Sequence, residues 1–412
     1  MRIAMISEHA NPLAALGGVD AGGQNLHVAE LSAALVRAGH DVTVYSRRDA
    51  RGQPTTVDAP QGYRVVHVPA GPAKQVPKDE LLPHMAEFTR FVSRQWRDSP
   101  PDVVHSHFWM SGIVAVFAKL HAQTPVVHTY HALGTVKRRH QGSADTSPAD
   151  RVRLERLVGN SATRVLATCT DEVRELGRMG VGNRRVSVVP CGVDCDQFRP
   201  EGPAVPKRLP RRVVSVGRLV PRKGFADLIA AMPHNPDTEL VIVGGPDRRH
   251  LARDPEAVRL RELAERLGVA DRVRLVGQVP RERMPAVLRS ADLVACVPWY
   301  EPFGIVPLEA MACGVPVLAT AVGGLADTVV DGVTGVLVPP RRPKSLATTM
   351  NALLADPVKR DFLGAAGRDR AECRYPWDRI ALDTARVYEQ CLEGTVGIPG
   401  DGPLAAAAGG PR

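Results

Sequence analysis

Short apolar runs alternate with amphipathic stretches along the first half of the chain. The pattern predicts a strand at 2–7, then a long loop, and then a helix that buries Val28, Leu31 and Leu35. Further strand-like runs lie at 41–45, 64–68, 103–107, 126–130, 165–169 and 186–189, and the longest helical stretch between them is 78–97. Strands that alternate with helices favour a parallel sheet covered on both faces.

A proline-rich segment interrupts this pattern and divides the chain. Residues 198–212 contain four prolines, and we interpret 201–212 as a linker. The alternation then restarts, with strand-like runs at 213–216, 240–243, 273–276, 293–297 and 315–319. Helices are predicted at about 225–232, 256–268, 280–290, 305–312, 343–355, 358–371 and 376–393.

The sequence therefore predicts two doubly wound α/β domains, at 1–200 and 213–375, followed by a helix at 376–395 and a disordered tail at 396–412. Two such sheets that face each other place the loops after their strands on opposite walls of one cleft. Ligands of open α/β sheets bind at those loops, so candidate chemistry is expected where strands end.

Composition narrows the class of protein without identifying it. The 412 residues are 44% hydrophobic and 24% charged, which is ordinary for a globular protein, and no apolar run is long enough to span a bilayer. The short apolar start predicts no signal peptide. Seven scattered cysteines without a C-x-x-C pair argue against a disulfide framework or a zinc site. We therefore expect a cytoplasmic protein.

The formal net charge of +9 admits a nucleic acid, a membrane surface or a small anionic substrate as partner. Basic residues are dispersed, and aromatic residues are only 4%, too few for platforms that stack bases. We expect no nucleic-acid partner and at most peripheral contact with a membrane. A basic protein that binds nucleic acid or a membrane surface stays as a distant alternative.

Two cations follow the first predicted strand of the second domain. Arg218 and Lys223 lie five positions apart and are flanked by Gly217 and Gly224. Arginine offers a bidentate fork for phosphate oxygens, lysine a point charge, and the glycines permit close approach of the backbone. The alternative interpretation is an exposed basic turn.

A second candidate loop follows the fourth strand-like run of that domain. Glu301 and Glu309 are eight positions apart, and Pro302 and Gly304 break the chain before the next helix. The free N–H groups at the start of that helix form an anion site, aided by the helix dipole. A carboxylate at Glu309 suits a ribose diol and one at Glu301 suits sugar hydroxyls, although either glutamate alone is equally typical of a surface position.

The loop between the first strand and the first helix has about 17 residues, against about 2–6 in most such loops. It carries the pairs Gly17-Gly18 and Gly22-Gly23 ahead of a helix that begins near Gln24. The G-x-G-x-x-G fingerprint of dinucleotide-binding proteins is absent. Paired glycines at a helix start still favour close approach of the backbone to a phosphate.

Histidines cluster on two strand-like runs of the first half. His128 and His131 lie on one run, and His105 and His107 lie on another. Because successive residues of a strand point to opposite faces, His131, at the end of its strand, is the best candidate to face the cleft. Structural histidines are the alternative for all four. A metal site is disfavoured because no matching Cys, Asp or Glu ligands accompany them.

Taken together, these segments resemble the retaining glycosyltransferases of family 4. Residues 301–317 resemble the family's E-x7-E segment, and residues 217–224 its diphosphate-binding Arg/Lys segment. Residues 17–25 resemble the glycine loop of the branch that contains sucrose-phosphate synthases and mycothiol-pathway glycosyltransferases. The similarity extends over about residues 1–395 in the family's order. It implies a GT-B fold, with two Rossmann-like domains facing across a cleft and the last helix crossing back onto the first domain.

The resemblance also implies roles for individual residues. The catalytic positions that it implies are His131, Glu301, Arg218 and Lys223. The donor-binding positions are Gly23, Arg218, Lys223, Val276, Gly277, Glu301, Phe303, Gly304, Ile305 and Glu309. The acceptor-binding positions are Asn25, Lys78, Phe108, Ala132, and Arg151 or Arg153. No metal or organic cofactor is implied, because the cations and the helix terminus can stabilise the leaving diphosphate.

In this scheme Arg218 and Lys223 bind the donor diphosphate, Glu309 the ribose, and Glu301 the transferred sugar. His131 lies beside the hydroxymethyl group of that sugar. Retention without an enzymic nucleophile implies a front-face transfer, in which the departing phosphate oxygen helps to deprotonate the acceptor.

The acceptor side departs from the branch that glycosylates inositol phosphate. That branch places a Tyr hydroxyl and a Thr hydroxyl on the acceptor phosphate, and the matching positions here are Phe108 and Ala132. Lys78 remains, and Arg151 or Arg153 lies near the matching place. Loss of two hydroxyl donors weakens a phosphate site. A neutral or amino-bearing cyclitol or sugar is therefore at least as compatible as inositol phosphate.

The sequence thus predicts transfer of a hexosyl or N-acetylhexosaminyl group from a UDP-sugar to a hydroxyl of a small polar acceptor, which is a cyclitol, an aminocyclitol or a sugar. Two alternatives stay open: a D-inositol-3-phosphate N-acetylglucosaminyltransferase proper, and a sugar-nucleotide epimerase on a similar scaffold. The identity of the base, sugar and acceptor stays open, as does a homodimer.

Overall fold

The computed structural model describes residues 1–14, 22–122 and 124–396. The first domain is built on strands β1 Arg2–Ile6, β2 Asp41–Arg47, β3 Thr56–Asp58, β4 Arg64–Val68, β5 Val103–His107, β6 Val126–Thr129, β7 Arg164–Ala167 and β8 Val186–Val188. Its α-helices are α1 Gly23–Arg37, α2 Met85–Asp98, α3 Trp109–Ala122, α4 Gly134–Gln141, α5 Arg151–Ser161 and α6 Thr170–Arg178.

The second domain repeats this plan. Its strands are β9 Arg211–Val216, β10 Thr238–Val243, β11 Val273–Gly277, β12 Leu293–Cys296, β13 Val317–Thr320 and β14 Val336–Val338. Its α-helices are α7 Phe225–Ala231, α8 Pro255–Arg266, α9 Met284–Arg289, α10 Ile305–Ala312, α11 Leu325–Thr328, α12 Pro343–Ala355 and α13 Pro357–Arg374, and the last helix is α14 Trp377–Val396. All six residues of β10 are buried, as expected for a parallel strand covered on both faces.

The order of the strands locates the ligand crevices. The first sheet has the order β3-β4-β2-β1-β5-β6-β7-β8 and the second β11-β10-β9-β12-β13-β14. Neighbouring strands are parallel except β3, which is antiparallel to β4. The winding therefore reverses between β1 and β5 in one sheet and between β9 and β12 in the other. Open α/β sheets bind ligands at such switch points.

Helix α14 leaves the second domain and packs on the first. Its residues Trp377, Ile380 and Tyr388 join the buried cluster formed around β1 and α1. On the surface of that contact, an Arg37 guanidinium nitrogen donates to the Asp378 carboxylate at 2.6 Å. The crossing expected from the family resemblance is thus present, and the predicted class of two parallel-sheet α/β domains is confirmed.

The two domains also touch directly near the cleft. The backbone N–H and the hydroxyl of Thr170 donate to the Asp327 carboxylate at 2.6 and 2.7 Å. The Thr168 hydroxyl donates to the Pro302 carbonyl oxygen at 3.3 Å. These contacts bring the loop that carries Glu301 against the first domain.

Several predicted boundaries were wrong. The helix predicted at 78–97 begins at Met85, and two short 3-10 turns, Lys78–Glu80 and Leu82–His84, precede it. Pro83 has no N–H to donate, which favours a break there. Strands β3 and β14, with three residues each, were missed.

Some predictions fall outside the described segments. Helix α14 extends to Val396, and the remainder of the predicted tail, 397–412, lies outside the described residues, as do Gly17 and Gly18. Among the helices that are described, none is long and apolar enough to cross a membrane. All seven cysteines lie in the described part of the chain and carry free thiols.

Candidate active site

The switch points place four loops around one cleft. The β9–α7 and β12–α10 loops come from the second domain, and the loops after β1 and β5 come from the first. Across the cleft, a Cβ built on Gly23 would lie 3.2 Å from Ile305 Cδ1. The rings of Phe303 and His131 are 5.1 Å apart. Four residues predicted from separate motifs therefore meet.

The two loops of the second domain are held together through their backbones. The Trp299 N–H donates to the Arg222 carbonyl oxygen at 2.8 Å. Gly224 has a φ of +74°, and a Cβ at that position would lie only 2.0 Å from the Val297 carbonyl oxygen. Only glycine lets the loops approach this closely. The contact fixes Lys223 beside Glu301.

Lys223 and Glu301 form an ion pair inside the cleft. Lys223 Nζ donates to Glu301 Oε2 at 2.5 Å, and the two side chains are only 18% and 15% exposed. Burial acts to raise the pKa of Glu301, but the charges of Lys223 and Arg222 outweigh it, and the net effect lowers that pKa. The Glu301 carboxylate is therefore ionised at neutral pH, so both of its oxygens act only as hydrogen-bond acceptors.

Two arginines complete the positive side of this loop. Arg218 is exposed at the start of the loop, and its charge also helps to lower the pKa of Glu301, against the effect of burial. The guanidinium of Arg222 lies 5.2 Å from the centre of the Tyr300 ring. Arg222 was not among the predicted site residues. It was visible in the sequence, next to Lys223, as part of the same basic run.

Glu309 is held by a residue that the sequence did not reveal. Arg281 Nη1 donates to Glu309 Oε1 at 2.6 Å, and the Arg281 guanidinium lies 4.9 Å from the centre of the Phe198 ring. Burial raises the pKa of Glu309, and Arg281 opposes that rise. Arg281 lies 28 positions before Glu309, in a different loop, so no local spacing connects the two.

The start of α10 rests on a pair of glycines. Gly304 precedes α10 with a φ of +89°. A Cβ on Gly323 would lie 2.2 Å from the Glu301 carbonyl oxygen, and one on Gly324 would lie 2.5 Å from the Phe303 carbonyl oxygen. The Gly323-Gly324 pair thereby fixes the backbone around Phe303, Gly304 and Ile305, where the first amide groups of the helix lack partners within it. This pair was also missed.

Val276 and Gly277 lie at the end of β11. The Gly277 carbonyl oxygen accepts from the Gly244 N–H at 2.9 Å, and both glycines have positive φ, at +77° and +122°. A Cβ on Gly244 would lie 2.0 Å from the Gly217 carbonyl oxygen. The Gly244 turn therefore joins the predicted base-flanking segment to the loop that carries Arg218.

On the opposite wall, two non-glycine residues adopt left-handed backbone conformations. Phe108 follows β5 with a φ of +79°, and His131 follows β6 with a φ of +61°. Such conformations cost about 1–3 kcal/mol each and cluster at functional sites. His131 is buried, and its Nδ1 has no hydrogen-bond partner among the described residues. The backbone thus holds the His131 ring against Phe303 at a cost in local stability.

A chain of buried histidines leads from His131 to α14. His131 Nε2 and His107 Nδ1 are 2.9 Å apart and share one proton as donor and acceptor. The His107 ring lies 4.1 Å from the His105 ring. His105 Nδ1 is 2.7 Å from the Tyr388 hydroxyl, and its Nε2 is 2.9 Å from Thr129 Oγ1. His105 and His107 therefore support His131 rather than contact a ligand.

These histidines are uncharged at neutral pH. Burial lowers the pKa of His27 to about 4 and that of His128 to about 3. Burial, with neighbouring histidines, lowers the pKa values of His105, His107 and His131 well below their usual range. Within the described residues no group of three or more His, Cys, Asp or Glu side chains could hold a metal ion.

Arg151 lies at the predicted acceptor side but is engaged within the protein. It is 2% exposed; its Nε donates to Glu155 Oε1 at 2.8 Å, and its Nη2 donates to the Ala132 carbonyl oxygen at 2.8 Å. Nη1 donates to the Ser147 hydroxyl at 3.1 Å, and the guanidinium lies 5.1 Å from the centre of the Phe108 ring. Arg151, Phe108 and Ala132 are therefore brought together as one packed unit.

The other predicted acceptor residues have different surroundings. Asn25 is buried: its Oδ1 accepts from the Gly22 N–H at 3.1 Å, and its Nδ2 donates to the Asn11 carbonyl oxygen at 3.0 Å. Lys78 lies in a 3-10 turn of the β4–α2 loop. Arg153 is 75% exposed and pairs with Asp150. Since helical neighbours two positions apart point in different directions, Arg153 does not join Arg151.

Comparison with known proteins agrees with this architecture. Residues 22–192 match the model of the glycosyl transferase 4-like domain, and residues 204–370 match that of the glycosyl transferases group 1. Each match falls on one domain, so the two walls of the cleft correspond to the two models.

Relatives extend over nearly the whole chain. A D-inositol 3-phosphate glycosyltransferase of Xylanimonas cellulosilytica is 40% identical over 95% of this chain and 97% of its own. A D-inositol 3-phosphate glycosyltransferase 2 of Catenulispora acidiphila is 37% identical over 95% of each. The solved sucrose-phosphate synthase of Thermosynechococcus elongatus superposes with a TM-score of 0.88 at 33% identity, over 96% of this chain and 100% of that one. The chain therefore belongs to the glycosyltransferases of group 1, with a 4-like first domain and the GT-B fold, and is an enzyme that transfers sugar from a nucleotide sugar.

Proposed function

We propose that the enzyme transfers a hexosyl or N-acetylhexosaminyl group, with retention, from a UDP-sugar to a hydroxyl of a small cyclitol-type acceptor. The observation that carries the proposal is the convergence at one switch point of Lys223, Glu301 and Glu309. These three residues match three parts of a nucleoside diphosphate sugar: Lys223 the diphosphate, Glu301 the transferred sugar and Glu309 the ribose.

In this proposal Lys223 and Arg218 bind the diphosphate, together with the amide groups at the start of α10. Glu309, next to Arg281, accepts the ribose hydroxyls, and Glu301 accepts those of the transferred sugar. The backbone of Val276 and Gly277 flanks the base, and Gly23 approaches the phosphates from the other wall. The neutral ring of His131 lies within reach of the donor sugar because it packs on Phe303.

The transfer is completed by the leaving group. The acceptor oxygen bonds to the anomeric carbon on the face from which the diphosphate departs, and the bond from that carbon to the phosphate oxygen breaks. The phosphate oxygen keeps the electron pair and takes the hydroxyl proton. Fixed cations aimed at the departing oxygen stabilise its charge, a contribution worth about 100- to 1,000-fold for a single donor. We therefore propose that no metal is needed, and that the enzyme acts in the cytoplasm.

A second candidate is D-inositol 3-phosphate as the acceptor, which is the activity named for the relatives that are 40% and 37% identical. Both candidates share the donor site and differ only at the wall formed by Phe108, Ala132 and Arg151.

The donor site is tested by calorimetric titration of UDP into the enzyme and into the variants Glu309→Ala and Lys223→Ala. We expect loss of measurable binding in the first and at least about tenfold weaker binding in the second, since each removes a charged hydrogen-bonding group. Unchanged UDP affinity in both variants would refute the proposed donor site. The exposed residue Lys359, changed to alanine, is the matched control.

The reaction itself is tested by product analysis. Incubation with a panel of nucleotide sugars and acceptors, followed by mass spectrometry and NMR, should yield a new glycosidic bond with the anomeric configuration of the donor. A C2 epimer of the donor sugar without a new bond would identify an epimerase instead.

A further inference from the structure

A buried carboxylate–imidazole pair lies at the switch point of the first sheet. His9 Nδ1 lies 2.7 Å from Glu8 Oε1, and the Glu8 side chain is 0% exposed. The Ser111 hydroxyl, in the first turn of α3, donates to Glu8 Oε2, and Ser111 Oγ accepts from the Glu8 N–H at 3.0 Å. Neither Glu8 nor His9 has a role in the donor site described above.

The position of the pair is that of an acceptor-side group. Glu8 and His9 lie in the loop just after β1, and the His9 ring lies 4.8 Å from the ring of Phe108, which follows β5. His9 therefore packs against the wall formed by Phe108.

The hydrogen bonds fix which atom His9 presents. The Glu8 carboxylate can only accept from His9 Nδ1, so Nδ1 carries a proton and Nε2 is the ring nitrogen left for a ligand. Within the described segments Nε2 forms no hydrogen bond, and the His9 side chain stays 10% exposed. Nε2 can form a hydrogen bond with a hydroxyl of a ligand in the cleft, since a hydroxyl both donates and accepts.

The charges around this wall disfavour a phosphate. The Arg151 guanidinium is engaged by Glu155, Ser147 and the Ala132 carbonyl oxygen. Phe108 and Ala132 offer no side-chain donor. Among the described residues, the Glu8 carboxylate forms hydrogen bonds only with His9 and Ser111. A phosphate at this wall would face a buried carboxylate instead of hydroxyl donors.

We propose that Glu8 and His9 are acceptor-specificity residues: His9 Nε2 forms a hydrogen bond with a non-reacting hydroxyl of the acceptor, Glu8 fixes the ring, and the acceptor is an unphosphorylated cyclitol or sugar. This inference rests on the proposed function and selects between its two candidate acceptors. His9 and Glu8 take no part in breaking the donor bond.

The first experiment compares matched acceptor pairs with the wild-type enzyme: myo-inositol with D-inositol 3-phosphate, glucosamine with glucosamine 6-phosphate, and glucose with glucose 6-phosphate. In the pair that is turned over, we expect kcat/KM to be at least about tenfold higher for the unphosphorylated member, because one lost or opposed charge contact is worth that much. A preference for the phosphorylated member, or turnover of no pair, overturns the inference.

The second experiment uses His9→Gln and Glu8→Gln with the preferred acceptor. We expect KM for the acceptor to rise about 10- to 100-fold in His9→Gln. The rise should be smaller in Glu8→Gln, because that variant retains the His9 ring and only weakens the contact that orients it. UDP affinity should stay within threefold or so in both, which shows that the variants fold and that the donor site is intact. Unchanged acceptor KM in both variants overturns the inference.

Glu201→Gln, at an exposed glutamate outside the cleft, is the matched control and should leave both constants unchanged. The two levels of the argument fail separately. If the wild-type enzyme does not bind UDP, the proposed function is contradicted. If it binds UDP but prefers phosphorylated acceptors, only the role of Glu8 and His9 is contradicted.

Discussion

The two walls of the cleft are built on different physical principles. The wall of the second domain consists of charged side chains paired across short distances, such as Lys223 with Glu301 and Arg281 with Glu309. The other wall is built around His131, which is backed by a cluster of buried, uncharged histidines, and carries two residues in left-handed backbone conformations. The difference reflects what each wall binds in the proposed reaction.

A wall that binds a diphosphate needs fixed charge, and ion pairs hold that charge in place until the ligand replaces one partner. A wall that orients a sugar and a neutral acceptor needs hydrogen-bonding atoms at fixed places without net charge. Uncharged histidines meet this need, because burial keeps them unprotonated and each ring offers one donor and one acceptor. The comparison leads to four predictions, in order of decreasing effect.

The largest effect is expected at Glu301. Glu301→Gln keeps the shape of the side chain but removes the charge that pairs with Lys223 and the acceptor for sugar hydroxyls. We expect kcat/KM for the donor to fall by about 100- to 1,000-fold, typical of removing a contact made to the reacting centre. Steady-state kinetics measure it, with the exposed Glu265→Gln as control. A fall of less than about threefold would show that the charged wall is dispensable.

A glycine of the same wall is the next target. Gly224→Ala introduces a Cβ 2.0 Å from the Val297 carbonyl oxygen at a φ of +74°, so the β9–α7 loop has to move. We expect the free energy of unfolding to fall by about 2–3 kcal/mol, together with weaker UDP binding.

Two further glycine variants serve as comparisons for Gly224→Ala. Gly182→Ala, where nothing lies within 4 Å, should be nearly neutral in urea unfolding. Gly23→Ala, whose Cβ would meet only the Ile305 side chain at 3.2 Å, should be intermediate. Equal effects at all three glycines would contradict the idea that the donor loops depend on close backbone approach.

On the neutral wall, His107→Gln should lower kcat while UDP affinity stays unchanged. His107 holds His131 through the 2.9 Å hydrogen bond, and loss of that partner leaves His131 free to turn. We expect a fall in kcat of about 10- to 100-fold. His250→Gln, at an exposed position, is the control. A change in UDP affinity equal to that in kcat would mean that His107 supports the fold rather than the orientation of His131.

The smallest effect concerns stability and pH. Burial lowers the pKa of His128 to about 3, whereas the unfolded chain titrates near the ordinary value of about 6.5. Between these values the unfolded state binds a proton that the folded state does not, so the free energy of unfolding falls as pH is lowered below about 6.5.

His128→Gln should therefore reduce this pH dependence by about one proton, or about 1.4 kcal/mol per pH unit, in urea unfolding between about pH 6 and pH 4.5. Lys359→Ala, at an exposed position, leaves the histidines and the buried ion pairs in place and should retain the slope of the wild-type enzyme in that window. An identical slope in His128→Gln and the wild-type enzyme would contradict the burial of an uncharged histidine.

The two walls also differ in how much of the candidate site the sequence predicts. On the second wall, Arg218, Lys223, Glu301 and Glu309 lie in two short segments, and turn-forming glycines mark both, so spacing marked them as candidates and the family resemblance implied their roles. On the first wall, the partners are far apart in the chain. Glu8 meets Ser111 across 103 positions, and His105 meets Tyr388 across 283. Arg151 was expected to be available to the acceptor, and its engagement by Glu155 and Ala132 became visible only in the folded chain.

The sequence by itself determined the two parallel sheets, and it predicted a divide near residue 205 and the two loops that carry the candidate donor-binding residues. These features depend on local periodicity and turn chemistry, which neighbouring residues encode. Only the tertiary structure decided that Arg281 faces Glu309, that Gly323 and Gly324 support the start of α10, and that Glu8 orients His9. Such pairings arise when strand order brings distant loops to one edge, and burial then sets which groups keep their charge.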